Sequence, residues 1–92
     1  MSIAYEPSQT LQGWLACKLD KGMFSDEMAV TYPADGEMQK SVFVAKSAVE
    51  GGPGEHGRVR VRLVRQNGSV LAVLPSSNQD IVYVRPQDIA AE

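Results

Sequence analysis

Apolar and polar side chains alternate with a period of two over much of this chain, the period of a strand with one buried face. From Thr10 to Leu19 the apolar residues Leu11, Leu15, Cys17 and Leu19 fall on odd positions with Gly13 in register, while Gln12, Trp14, Ala16 and Lys18 fall on even ones. Met28, Val30 and Tyr32 share a face in "MAVTY", and Met38–Ala45 predicts a third strand. Arg58–Arg65 and Val70–Leu74 flank Asn67-Gly68, the strongest short-range hairpin signal. "IVYV" predicts a sixth strand and "RPQDIAA" a terminal turn.

The connectors carry their own chemistry. "DKGMFSDE" breaks at Gly22, with Phe24 expected as a plug beneath the loop, and Pro33–Gly36 ("PADG") has the residues of a tight turn. "KSAVE" is long enough for one helical turn and no more. "GGPGEHG", Gly51–Gly57, reads as a mobile loop. No predicted helix is long enough to cover a sheet, so the strands must close on themselves or stack as two small sheets. The expectation is an all-β fold: a small antiparallel barrel of five to six short strands. The strand order, with a tight hairpin late in the chain and a short last strand running into "RPQDI", resembles SH3-like small barrels. That resemblance covers most of the chain and assigns no functional residue. An OB-like barrel, with "KSAVE" as its helix, and a small β-sandwich are the alternatives.

The Asn-Gly hairpin has two possible registers. A two-residue type I′ loop pairs Gln66 with Ser69 and puts Val59, Val61, Leu63, Val70, Ala72 and Leu74 in the core, leaving Val64, Leu71 and Val73 outside. A three-residue bulged loop pairs Arg65 with Ser69 and moves Leu71 and Val73 inside. In both, Arg58, Arg60 and Arg62 point away from the core beside aliphatic neighbours. Either the long arginine stems cover those aliphatics, or the mixed surface is a contact face.

Ninety-two residues predict a single domain over 1–92, with a loose lead-in at 1–8 and a loose C-terminus at 90–92. The 43% hydrophobic and 22% charged shares fit a soluble globular chain. The longest apolar runs fall far short of the roughly 20 residues of a membrane helix, so the expectation is a cytoplasmic protein without membrane contact. The lone Cys17 reads as a small core residue. Formal net charge is −2, distributed as −3 over residues 1–50 and +1 over residues 51–92; all lysines lie in the first part and all arginines in the second.

Catalytic chemistry lacks its parts. His56 is the only histidine and lies in a glycine-rich loop, and no G-x-S-x-G elbow occurs. "GGPGEHG" lacks the G-K-[ST] of a phosphate loop, and Asp20 with Ser25–Glu27 lacks a calcium-loop pattern. No enzyme activity, cofactor or metal is expected. The candidate contact residues are Arg58, Arg60 and Arg62, with Trp14, either a platform or a lid, beside them. The partner expected is a protein or the chain's own copy. The alternative is weak binding of single-stranded RNA or DNA by phosphate contacts and stacking on Trp14; the few arginines and the acidic first half oppose it.

Overall fold

The computed structural model describes residues 10–33 and 39–91. It contains eight strands, β1 Thr10–Lys21, β2 Glu27–Pro33, β3 Gln39–Ala45, β4 Val49–Glu50, β5 His56–Gln66, β6 Ser69–Val73, β7 Ile81–Tyr83 and β8 Ile89–Ala91. Three-residue 3₁₀ turns, Lys46–Ala48 and Pro86–Asp88, precede β4 and β8. The strands form one antiparallel sheet in the order β3-β2-β1-β5-β6-β7, curled into a half-barrel, with β4 beside β5 and β8 beside β1. The fold is all-β, as the period-two pattern requires.

Alternation decides the inside. Leu15, Cys17, Leu19, Met28, Val30, Tyr32, Val59, Val61, Leu63, Ala72 and Leu74 make one buried cluster with Val44 and Val84. Each large aliphatic buried this way contributes roughly 1.5–3 kcal/mol, which is what holds so short a chain in one conformation. The hairpin takes the two-residue solution: Gln66 pairs with Ser69, and Asn67 and Gly68 have φ of 53° and 81°. A type I′ turn needs φ > 0 at both central residues, which Asn and Gly accept at least cost. Leu71 and Val73 therefore share the outer face with Arg60 and Arg62.

The chain builds the same unit twice. Strand β1 corresponds to β5, β2 to β6, β3 to β7 and β4 to β8, and every ladder register maps onto its counterpart: Lys18↔Thr31 onto Arg62↔Val73, Thr31↔Ser41 onto Val73↔Ile81, and Val49↔Val59 onto Ile89↔Leu15. A pseudo-twofold axis passes through the buried pair Leu15↔Val59. Each repeat ends in strand, 3₁₀ turn and strand, and that last strand pairs with the first strand of the other repeat. The residues entering the turns, Ala45 and Arg85, have φ, ψ of −67°, 143° and −90°, 143°; those leaving, Val49 and Ile89, have −126°, 158° and −121°, 153°. Residues 41–50 and 81–90 run through the same succession of buried, half-buried and exposed positions.

Several expectations are corrected. The half-barrel has the six strands expected, but "KSAVE" and "RPQDIAA", read as turns alone, each hold a 3₁₀ turn and then a short strand that pairs beside it. The C-terminus expected to be loose from residue 90 is in β8 through Ala91. Leu11 is exposed: among the described residues β8 ends opposite Gly13 and does not reach it. Phe24 is no plug: Glu27 N–H closes the loop on the Phe24 carbonyl at 3.1 Å, and the ring projects outward, 66% exposed. "GGPGEHG" is tied to β1 by Leu19 N–H on the Glu55 carbonyl and Gly54 N–H on the Leu19 carbonyl, at 2.9 and 2.7 Å. The lead-in at 1–8 and the "PADG" turn beyond Pro33 lie outside the described residues.

Candidate functional site

The even positions of β1 and β5 form the convex face of the central ribbon. Gln12 lies opposite Arg62, Trp14 opposite Arg60, and Ala16 opposite Arg58. Trp14 is on this outer face yet only 8% exposed, because the Arg58 and Arg60 guanidiniums lie 4.3 and 4.9 Å from its ring centroid. Each such cation–π contact is worth roughly 0.5–1 kcal/mol at a partly exposed site. Trp14 is thus neither an open platform nor a lid over a barrel end. It is a covered plate that fixes two arginines.

Arg58 is also held from its other side. Its Nε donates to Glu50 Oε1 at 2.8 Å, and its Nη2 is 2.8 Å from the same oxygen. Both side chains are about half exposed, so the pair itself adds no more than about 1 kcal/mol. Its effect is positional, linking β4 to β5 and turning Arg58 onto Trp14.

Arg60 and Arg62 stand over a notch. Along β5, the partner strand β4 covers residues 58 and 59, and β6 takes over only at residue 62. The gap opens a cleft of about 360 Å³ lined by Ala48, Arg60, Arg62, Val73, Ser76 and Gln79 among others. Its far wall is firm: Ser76 Oγ donates to Asp80 Oδ2 at 2.7 Å and accepts from Asp80 N–H at 3.2 Å, while Ser76 bridges to Val44 of β3. Asp80 also acts on Tyr32, whose hydroxyl pKa is raised first by burial and then by that carboxylate's charge.

Beyond the arginines the outer face turns apolar. Two cross-strand rows run from β5 to β7, Arg62–Val73–Ile81 and Val64–Leu71–Tyr83. Val64, Leu71 and Val73 are half-buried; Ile81 is 64% and Tyr83 58% exposed. Arg58 and Arg60 lie over Trp14. The equivalent rows of the first repeat read Lys18–Thr31–Ser41 and Asp20–Ala29–Phe43, with Thr31 and Ser41 hydroxyls hydrogen-bonded at 2.9 Å. The same backbone is therefore built once with a mostly polar outer face and once with an apolar one.

The remaining candidates scatter. His56 is exposed at the start of β5. Cys17 is buried, and desolvation raises its thiol pKa from 9.0 to about 11, which keeps it protonated and unreactive at neutral pH. Among the described residues no three His, Cys, Asp or Glu side chains gather to hold a metal, and no helix is long and apolar enough to cross a membrane. The structure brings Trp14, Arg58 and Arg60 together, with Arg62 at the next register position. Ile81 and Tyr83 are additions that sequence reasoning missed, although their alternation with Val82 and Val84 carried the signal. No protein-family model, curated protein or solved structure matches the chain.

Proposed function

We propose that the protein is a non-enzymatic binding module that docks another protein on the outer face of β5, β6 and β7. Arg60 and Arg62 supply the charged border, and Val64, Leu71, Val73, Ile81 and Tyr83 the apolar floor. The observation that carries this reading is the internal comparison. The first repeat makes the same ladders with Asp20, Ala29, Thr31 and Ser41 at the positions of Val64, Leu71, Val73 and Ile81, so the fold does not require large apolar groups at those four, while Tyr83 has the aromatic counterpart Phe43. Large exposed apolar side chains without a folding role mark a contact surface, and arginine beside aromatic and aliphatic groups is the composition such surfaces favour. The partner chemistry that fits is a segment with apolar anchors and acidic flanks.

Nucleic acid fits less well. Base stacking needs an open ring face, and two guanidiniums occupy the ring of the only tryptophan. Affinity capture from native lysate tests the choice, using wild type, Arg62→Glu and nuclease-treated extract. A partner that survives nuclease and is lost with Arg62→Glu supports protein docking. A partner that disappears with nuclease sinks it, as does one indifferent to Arg62.

A further inference from the structure

The two repeats differ in a second place, and the difference is complementary to the first. The second repeat closes its leading hairpin with Asn67-Gly68 alone, whereas the first closes the corresponding hairpin with Gly22, Met23, Phe24, Ser25 and Asp26. The longer loop carries Met23 at 74% and Phe24 at 66% exposure, the two most exposed of the large hydrophobics among the described residues. A two-residue turn suffices to connect these strands, as the second repeat demonstrates, so the fold needs neither the length nor the apolar tip.

The tip has the chemistry that the docking face calls for. Met23 and Phe24 are followed, after Ser25, by Asp26 and the half-buried Glu27, with Asp20 at the end of β1, against Lys21 and Lys46, an excess of one negative charge. The loop thus combines apolar anchors with a local excess of acid, and the face opposite combines apolar rows with Arg60 and Arg62. The halves of the chain repeat the complementarity at long range, −3 for residues 1–50 and +1 for residues 51–92. The loop and the face belong to opposite repeats, related by the pseudo-twofold axis, so a molecule offers its knob at one place and its socket at another.

We infer that a second copy of this chain is a partner of the docking face: the Met23–Phe24 loop of one molecule seats on Val73, Leu71, Ile81 and Tyr83 of the next. This rests on the docking reading above and names its occupant. If each molecule seats its loop on the other the contact closes as a twofold dimer; otherwise it runs head to tail and closes into a ring or extends as a filament according to the rotation between neighbours. A two-residue knob on a small patch belongs to the low end of interface sizes, below about 1,200 Å² in total, so association is weak and concentration-dependent. Opposite charge raises the encounter rate and makes it sensitive to salt.

Sedimentation velocity from micromolar to millimolar protein tests the inference, with Phe24→Asp as the knob variant and Ile81→Lys as the socket variant. Both positions are exposed, and circular dichroism confirms the fold of each. Wild type should grow in mass with concentration, and each variant alone should stay monomeric. An equimolar mixture of the two variants should form a one-to-one dimer and nothing larger, because one supplies an intact socket and the other an intact knob. A wild type that remains monomeric overturns the inference, as does a variant that associates like wild type or a mixture that stays monomeric. Failure here while Arg62-dependent capture from lysate persists removes the self-partner and leaves the docking face; loss of both removes the face itself.

Discussion

Gly13 and Gly57 occupy equivalent positions in the two repeats, and alanine at either should destabilise the fold by a similar amount. A Cβ on Gly13 would lie 2.6 Å from Leu63 Cδ1 and 2.8 Å from the Ala90 carbonyl oxygen. A Cβ on Gly57 would lie 2.7 Å from Leu19 Cδ1 and overlap the Glu50 carbonyl oxygen. Ordinary contact is 3.4–4 Å, so a short strand must retreat in each case, β8 by about half an ångström and β4 by more than an ångström. Overpacking of this kind costs about 1–3 kcal/mol, and the lower chain entropy of alanine returns at most about 1 kcal/mol. A net loss of about 1–2 kcal/mol is a sizeable share of the roughly 5–14 kcal/mol expected for a chain of this size. At about 4–8 °C per kcal/mol it lowers Tm by about 4–16 °C. Thermal melts followed by circular dichroism measure it. A neutral or stabilising Gly13→Ala would mean that β8 does not seat on β1. A large loss at one glycine and none at the other would refute the twofold construction.

Three further outcomes follow from the same geometry. Trp14, the only tryptophan, should be shielded from acrylamide in wild type; Arg58→Ala and Arg60→Ala should each raise its quenching constant and cost roughly 0.5–1 kcal/mol, and unchanged quenching would show that the guanidiniums do not cover the ring. The buried Cys17 has a folded pKa of about 11 against 9.0 unfolded, so its contribution is intact below pH 9 and is lost as pH rises towards 11, at a slope of up to about 1.4 kcal/mol per unit. Tyr32, raised in the same direction, adds to the loss at the alkaline end; urea melts of wild type and Cys17→Ala check it, and equal slopes would refute the cysteine's share. Gly68→Val forces a β-branched residue to φ of 81° and should cost at least 1 kcal/mol, since strained backbone of this kind costs about 1–3 kcal/mol; a neutral result would exclude the type I′ turn.

The strands and the core were legible because burial acts on side chains directly, and a period of two survives any sheet topology. Leu15, Cys17 and Leu19 of β1 and Val59, Val61 and Leu63 of β5 are buried where the alternation put them. The hairpin register was left between two solutions, because Asn-Gly serves both and only the whole sheet, pairing Ala72 with Leu63 and Val82, decides between them. The two short strands were hidden because a strand of two or three residues carries almost no periodicity of its own; its existence depends on a partner strand, Val59 of β5 for Val49 and the distant Leu15 of β1 for Ile89. The duplication was written in residues 42–50 and 82–90, where Val42, Phe43, Val44 and Val49 match Val82, Tyr83, Val84 and Ile89. Spacings that change from 44 to 42 to 40 residues between strands blur it as a simple repeat. The arginine row was visible, but its use of Trp14 was not: that depends on Glu50, brought beside Arg58 only by the 3₁₀ turn and β4.

The outer face of the second repeat is the centre of the account, and the duplicated fold supplies a matched control for it. Ile81→Lys and Ser41→Lys place the same charge at equivalent positions of the two repeats, one on the apolar face and one on the polar face. Affinity capture from nuclease-treated lysate, quantified for wild type and both variants, should show the bound partner lost with Ile81→Lys and retained with Ser41→Lys. Equal retention by both, or equal loss, would contradict the assignment of the docking face to β5, β6 and β7.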